Sequence, residues 1–345
     1  MSAQSKKITP KKVIEYTLLL VIALALIYYS FRGVDWGEFW AGMKGCNWWW
    51  IALSMLIGVV EFTVRAIRWK LLLNQIHSPN KTLNAYRGVT IGNLTNFAVP
   101  RLGEIIRCTV VSTTDKIPFE GAVGTVVVER AWDLICLILL TASMFLFQNS
   151  FGSFIKENIL GGMTLSNYTL GLIAGISTAI VLVLIGIWFA RSRARKKAAN
   201  KEAQTKDSQS KVKRFISRFK EGILSVFKMK HKWYFFLLTV MLWGTYLLTS
   251  MFTIWAFPQL GNFTWGDALF LMIVGGLGWA VPVQAGIGAY HFIVSLALMQ
   301  VYAMSQSESL AFATISHSSQ AVVMIILGVI SVIGYAVQKR KLLKD

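Results

Sequence analysis

Apolar residues in this chain come in long unbroken runs rather than in strand-like alternation. Six runs, at about 13–30, 48–67, 120–147, 167–190, 233–257 and 309–336, approach or exceed the roughly 18 to 20 residues that a helix needs to cross a ~30 Å hydrocarbon layer. Aromatic residues gather at their ends, as in Trp48-Trp49-Trp50 and Trp233-Tyr234-Phe235-Phe236, where amphipathic rings sit at the membrane-water interface. Two further apolar segments, 88–113 and 266–303, are interrupted near their centres by Gly and Pro. Their pieces, roughly 11 to 18 residues each, are mostly too short to span comfortably. The pattern predicts an all-α polytopic membrane protein with about six full spans and two broken, re-entrant helical hairpins.

The two interrupted segments share a short core. Asn96-Phe97-Ala98-Val99-Pro100-Arg101-Leu102-Gly103 sets beside Gly278-Trp279-Ala280-Val281-Pro282-Val283-Gln284-Ala285-Gly286, with aromatic-Ala-Val-Pro in common. Two unrelated proline breaks would look the same over so few residues. Topology favours a repeat, because the first segment follows the basic end of a span and the second follows the neutral stretch 258–265. The expectation is therefore an inverted pair, the arrangement that in transporters places a site near the midplane. Backbone groups freed at such breaks need protein or a water-filled cavity to satisfy them.

Composition agrees with the pattern: of 345 residues, 55% are hydrophobic and only 15% charged, yet the formal net charge is +19. The location of that charge decides its meaning. Residues 1–12, 65–87, 191–232 and 338–345 hold more than the whole of it, and each abuts an apolar run, while 31–47, 148–166 and 258–265 are neutral. That is the positive-inside pattern, and it predicts cytoplasmic N and C termini in an inner cell membrane. A nucleic-acid-binding face would not alternate in register with hydrophobic spans, so no nucleic-acid partner is expected. From Val212, Phe215, Ile216, Phe219, Ile223, Val226 and Phe227 fall at helical spacing opposite Lys211, Lys213, Arg214, Arg218 and Lys220. The expectation is an amphipathic helix on the inner leaflet, with a solvated basic loop as the plainer alternative.

Charges left at membrane depth are costly, about 2.5 to 3.5 kcal/mol each on insertion scales, and so point to function or to pairing. One cluster is Arg101, Glu104 and Arg107, spaced to share one side of a helix that starts at Pro100. The free N–H groups of that helix start, beside Arg101, would suit a phosphate or carboxylate. A second cluster is Glu129, Arg130 and Asp133, in which Arg130 can pair with Asp133. A self-neutralising ion-pair network is the structural alternative for both. Glu61, Arg65 and Arg68 either extend the path or read as a helix end whose arginines snorkel to the interface, the commoner case.

No catalytic or cofactor chemistry stands out. Cys46, Cys108 and Cys136 are scattered and read as small apolar residues. His291 and His317 lie in the late apolar segments without a His-Glu-x-x-His or Cys-x-x-Cys pattern, so no metal site is expected. The chain has no Walker loop, dinucleotide fingerprint or Gly-x-Ser-x-Gly elbow. It is expected to be no enzyme and to need no cofactor.

The run from Asn96 through Pro100, Arg101, Gly103 and Glu104 to Arg107, then Glu129-Arg130 and Asp133, and later Pro282 to Gly288, resembles the transmembrane region of lysylphosphatidylglycerol synthases, a flippase-like family. The resemblance covers nearly the whole chain. It implies an integral membrane protein related to the half of those synthases that moves aminoacylated phospholipid between leaflets. No segment resembles their soluble aminoacyl-transfer domain, so synthase activity is not expected. One position departs: where related sequences often carry Glu in Pro-Gly-Gly-x-Gly-x-x-Glu, this chain has His291, which changes the charge offered to a substrate.

These readings converge on one transmembrane domain, 1–345, in which 1–190 and 233–345 flank the basic loop 191–232. Its expected function is translocation of a phospholipid or lipid-linked head group through a polar cavity. Arg101 and Arg107 would meet an anionic head group, Glu104 would position or carry a proton, and Glu129, Arg130 and Asp133 would line the cavity. Asn96, Pro100 and Gly103 at the first break are also expected to contact the substrate, as are Gly286 and Gly288, which allow close backbone approach at the second, and His291, which lines it. Membrane lipids are the expected partners, with a homo-oligomer or an envelope-lipid enzyme as possible protein partners. The alternative is a non-transporting membrane partner of such an enzyme.

Overall fold

The computed structural model describes residues 21, 23–76, 80–147, 226–281 and 283–342, which are helices, turns and connecting loops with no strand among them. They group into two compact units, one drawn from 1–123 and 233–345 and the other from 124–232. We number the principal helices α1 (Trp36–Lys44), α2 (Trp48–Leu73), α3 (Thr82–Ala98), α4 (Gly103–Asp115), α5 (Phe119–Phe147), α6 (Lys232–Trp255), α7 (Trp265–Ala280), α8 (Ala289–Tyr302) and α9 (Gln306–Leu342). Among the described residues, α2, α6, α9 and the stretch Gln284–Tyr302 are long and apolar enough to cross a membrane. The runs at 48–67, 233–257 and 309–336 fall on the first three. The run at 120–147 lies within the 29-residue α5, and the later part of 13–30 is helical at 23–31. The run at 167–190 lies outside the described residues, as does the amphipathic helix expected from Val212, apart from a turn of helix at 226–228.

Both interrupted segments are broken helices. The first is α3 followed by α4, and the second is α7 followed by α8, with a 3-10 turn at Gln284–Gly286 between them. Proline explains the first stop: it disfavours helical backbone in the residue before it, and Val99 is extended, φ −134° and ψ 110°. At the second stop Val281, which also precedes a proline, is extended at ψ 130°. Helix α7 starts on a capping box in which Thr264 and Asp267 bond each other's backbone N–H. Asp267 also accepts from the Tyr302 hydroxyl at 2.7 Å, which ties the start of α7 to the end of α8.

Helix α9 is the hub of the larger unit, packing on α1, α2, α3, α4 and α8. Lipid is as apolar as leucine, so helices in a bilayer associate through close packing and interhelical hydrogen bonds rather than through the hydrophobic effect. Accordingly, Thr90 on α3 donates to Ser331 Oγ at 2.7 Å, Arg87 bonds Gln338, and Gln320 reaches the Ser54 carbonyl of α2 at 3.4 Å. The neutral stretch 31–47, for which no helix was expected, contains α1. Asp35 caps it, accepting from the Gly37 and Glu38 N–H groups at 2.7 and 3.1 Å. Its Phe39 packs with Val34, Leu310 and Ala311 against α9.

Candidate functional site

The first break is a tight crossing of α3 and α4 that turns on Asn96, Pro100 and Gly103. Asn96 does not face outward for a ligand. Its Oδ1 accepts from the Gly103 N–H at 2.7 Å, so a side chain on α3 caps the start of α4 across the turn. Asn96→Ala should cost about 1 kcal/mol, read as a lower unfolding temperature in detergent with faster amide exchange at Gly103.

The expected helix from Pro100 is corrected: α4 begins at Gly103, and Pro100, Arg101 and Leu102 form the turn. Arg101 is exposed at its tip, with a left-handed backbone, φ 67°. It therefore leaves the helical face on which Glu104 and Arg107 do meet, at 3.4 Å. The free N–H cradle is also largely filled. Gly103 bonds Asn96, and Ile105 and Ile106 both donate to the Leu102 carbonyl at 3.1 Å.

Arg107 is nearly enclosed, its side chain 3% exposed against 31% for Glu104. Its guanidinium lies 4.0 Å from the ring centroid of Trp69, a fully buried residue of α2, in a cation–π contact that desolvation strengthens. Trp69 was not legible as a partner, because it lies 38 residues upstream in another helix. Near it Arg68 is also fully buried, 5.7 Å from the Phe235 ring, so it does not snorkel as expected. Arg65 stands 3.7 Å from Glu61 and bonds the Tyr246 hydroxyl of α6.

The second break uses left-handed backbone at Ala285, Gly286 and Gly288, φ 50°, 70° and 82°. Close approach is present at both glycines. A Cβ at Gly288 would lie 2.9 Å from the Ala23 carbonyl oxygen, and one at Gly286 3.2 Å from that of Gly278. His291, on the first turn of α8, is buried rather than set along an open wall. Its ring centroid is 5.0 Å from that of His317 on α9 and 6.3 Å from that of Phe31. His317 in turn meets the Ala285 carbonyl oxygen at 2.8 Å and stacks on Trp279 at 4.8 Å.

The two breaks adjoin, since α3 packs directly against the Gln284–Gly286 turn. Glu129, Arg130 and Asp133 belong to the other unit. There Arg130 lies 3.8 Å from Asp133 and is half exposed, while Glu129 is fully buried. Cys46 and Cys108 are buried, as expected of small apolar residues. No group of three His, Cys, Asp or Glu side chains placed to hold a metal ion occurs among the described residues.

No curated protein was found to match the chain. A family model described as "Lysylphosphatidylglycerol synthase TM region" matches residues 16–328, a range that takes in both breaks and both charged clusters. The chain thus belongs to the family of the lysylphosphatidylglycerol synthase transmembrane region and is an integral membrane protein related to lipid modification or transport.

Proposed function

We propose that the protein is a flippase-like transporter that moves a phospholipid or lipid-linked head group between leaflets. The observation that carries this reading is the packing of α3 on the Gln284–Gly286 turn, which brings two interrupted helices together. Non-helical backbone at membrane depth is tolerated where protein encloses it or where it lines a polar path, and paired broken helices supply such a path in transporters. The positive-inside charge pattern gives the chain cytoplasmic termini in an inner membrane. No covalent step is involved.

On this reading Arg101, exposed on the turn of the first break, is the contact for a head-group phosphate. Arg107, held by Glu104 and Trp69, adds a fixed positive charge behind it. Gly286 and Gly288 keep the second break slim enough for the head group to pass, while the acyl or prenyl chains stay in the bilayer. His291 is enclosed by aromatic rings and lies off the path.

Arg101 can be tested without damaging its turn, because glycine adopts its left-handed backbone freely. In proteoliposomes with a fluorescent anionic phospholipid, Arg101→Gly should slow leaflet exchange about tenfold or more, the loss expected for one charge-assisted contact. Its thermal stability should equal or exceed that of the native protein, since a non-glycine residue there costs roughly 1 kcal/mol. Exchange at the native rate would remove Arg101 from the mechanism.

A further inference from the structure

His291 and His317 are 26 residues apart in sequence, and the α8–α9 hairpin brings their rings together, centroids 5.0 Å apart and planes tilted by 55°. Both are more than nine-tenths buried, 8% and 4% exposed. The hydrogen bond to Ala285 fixes the chemistry of one ring. A carbonyl oxygen only accepts, so His317 Nε2 carries a hydrogen, and in the neutral ring Nδ1 holds the lone pair. His291 Nδ1 is buried and makes no hydrogen bond within the protein, and neither does Ser295 Oγ one turn further along the same face of α8. On α9, buried Ser309 Oγ is in the same condition. Ser295 and Ser309 both lie along the chain between the histidines and the connection at 303–305.

The surroundings narrow what such a pair can take. Tyr290, with its ring 5.3 Å from that of His317 and its hydroxyl 2.7 Å from Ser316 Oγ, is the titratable neighbour on α8. Trp279 of α7, Phe31 of the helical stretch 23–31 and the Ala285 carbonyl bring no charge. Among the described residues neither ring has a carboxylate within ion-pairing distance, and no third ligand completes a metal site. An anion would meet no fixed positive charge from these neighbours. A proton needs only a lone-pair nitrogen, and like charges this close in a low dielectric cannot both persist.

We propose that the His291–His317 pair is a one-proton binding site that communicates with the second break through the His317–Ala285 hydrogen bond. A hydronium ion gives its proton to a lone-pair nitrogen of one ring and leaves as water. The resulting imidazolium sits on one ring at a time, and a charged His317 donates more strongly to the Ala285 carbonyl. This supplies the translocase reading with a source of coupling, and the site itself can be measured whether or not that reading holds.

The test uses the full chain in phosphatidylglycerol–phosphatidylcholine nanodiscs, with ¹⁵N-labelled histidine and ¹³C-carbonyl-labelled alanine, followed by NMR from about pH 8 to about pH 4.5. Of the four histidines, His291 and His317 should together take up one proton, and the Ala285 carbonyl resonance should move in step with it. In His317→Gln that movement should vanish, and in His291→Gln the remaining ring should take the whole proton. The proposal is overturned if both rings become fully charged independently, if neither takes up a proton, or if the Ala285 carbonyl does not respond in the native protein. A protein that passes these tests yet moves no lipid would sink the translocase reading alone.

Discussion

Replacing Gly103 with alanine is expected to collapse the first break and lipid movement with it. A Cβ at Gly103 would run into the backbone carbonyl oxygen of Gly92 on α3 and lie 2.6 Å from the Asn96 side chain. A peptide oxygen cannot rotate away as a flexible side chain can, so α3 and α4 must move apart. That separation breaks the Asn96 cap and shifts Arg107 away from Trp69. Overpacking of a closed site costs about 1 to 3 kcal/mol, and loss of the cap adds about 1 kcal/mol. Gly103→Ala should therefore unfold at clearly lower temperature in detergent and lose most leaflet exchange in proteoliposomes. Gly244→Ala is the control. It lies inside α6 with nothing within 4 Å of the added Cβ, so it should be neutral or stabilising by up to about 1 kcal/mol. Equal stability of the two variants would mean that the α3–α4 crossing is looser than its geometry requires.

That crossing also marks how far the sequence alone reaches. Pro100 and Pro282 announced where helices stop, because proline's ring acts on its immediate neighbour and the effect is local. The composition of the long runs announced α2, α6 and α9 for the same reason. What escaped notice depends on contacts between distant segments. Arg101 was assigned to the face of Glu104 and Arg107 because spacing assumes continuous helix, whereas the turn needed to bring Gly103 against Gly92 leaves Arg101 left-handed outside it. Asn96 looked like a polar ligand until the fold placed it at the start of α4. Helix α1 has only nine residues and is held by packing on α9, so periodicity showed little. Its cap, Asp35, was nevertheless a readable signal, as was Thr264-x-x-Asp267 before α7.

Arg107 should prove the residue least tolerant of neutralisation, and the pattern of its variants separates two roles. If it serves only to balance Glu104 and hold α4 to Trp69, removing one partner is harmful and removing both is much less so, because an apolar or neutral pair often replaces a buried ion pair at little cost. If its charge also draws a head-group phosphate, the double replacement restores the fold but not the function. The geometry favours the second outcome: Glu104 is partly exposed beside the Arg101 turn, while the guanidinium is held over the Trp69 ring, 4.0 Å from its centroid. Arg107→Gln is therefore expected to lower leaflet exchange at least a hundredfold, about 2.7 kcal/mol in the rate, and to reduce stability. Arg107→Lys keeps the charge but loses the planar stack, and should fall between. In Glu104→Gln with Arg107→Gln, the unfolding temperature should return most of the way to the native value while exchange stays low. Recovery of exchange in that double variant would make Arg107 a structural lock and leave Arg101 as the phosphate contact of the first break.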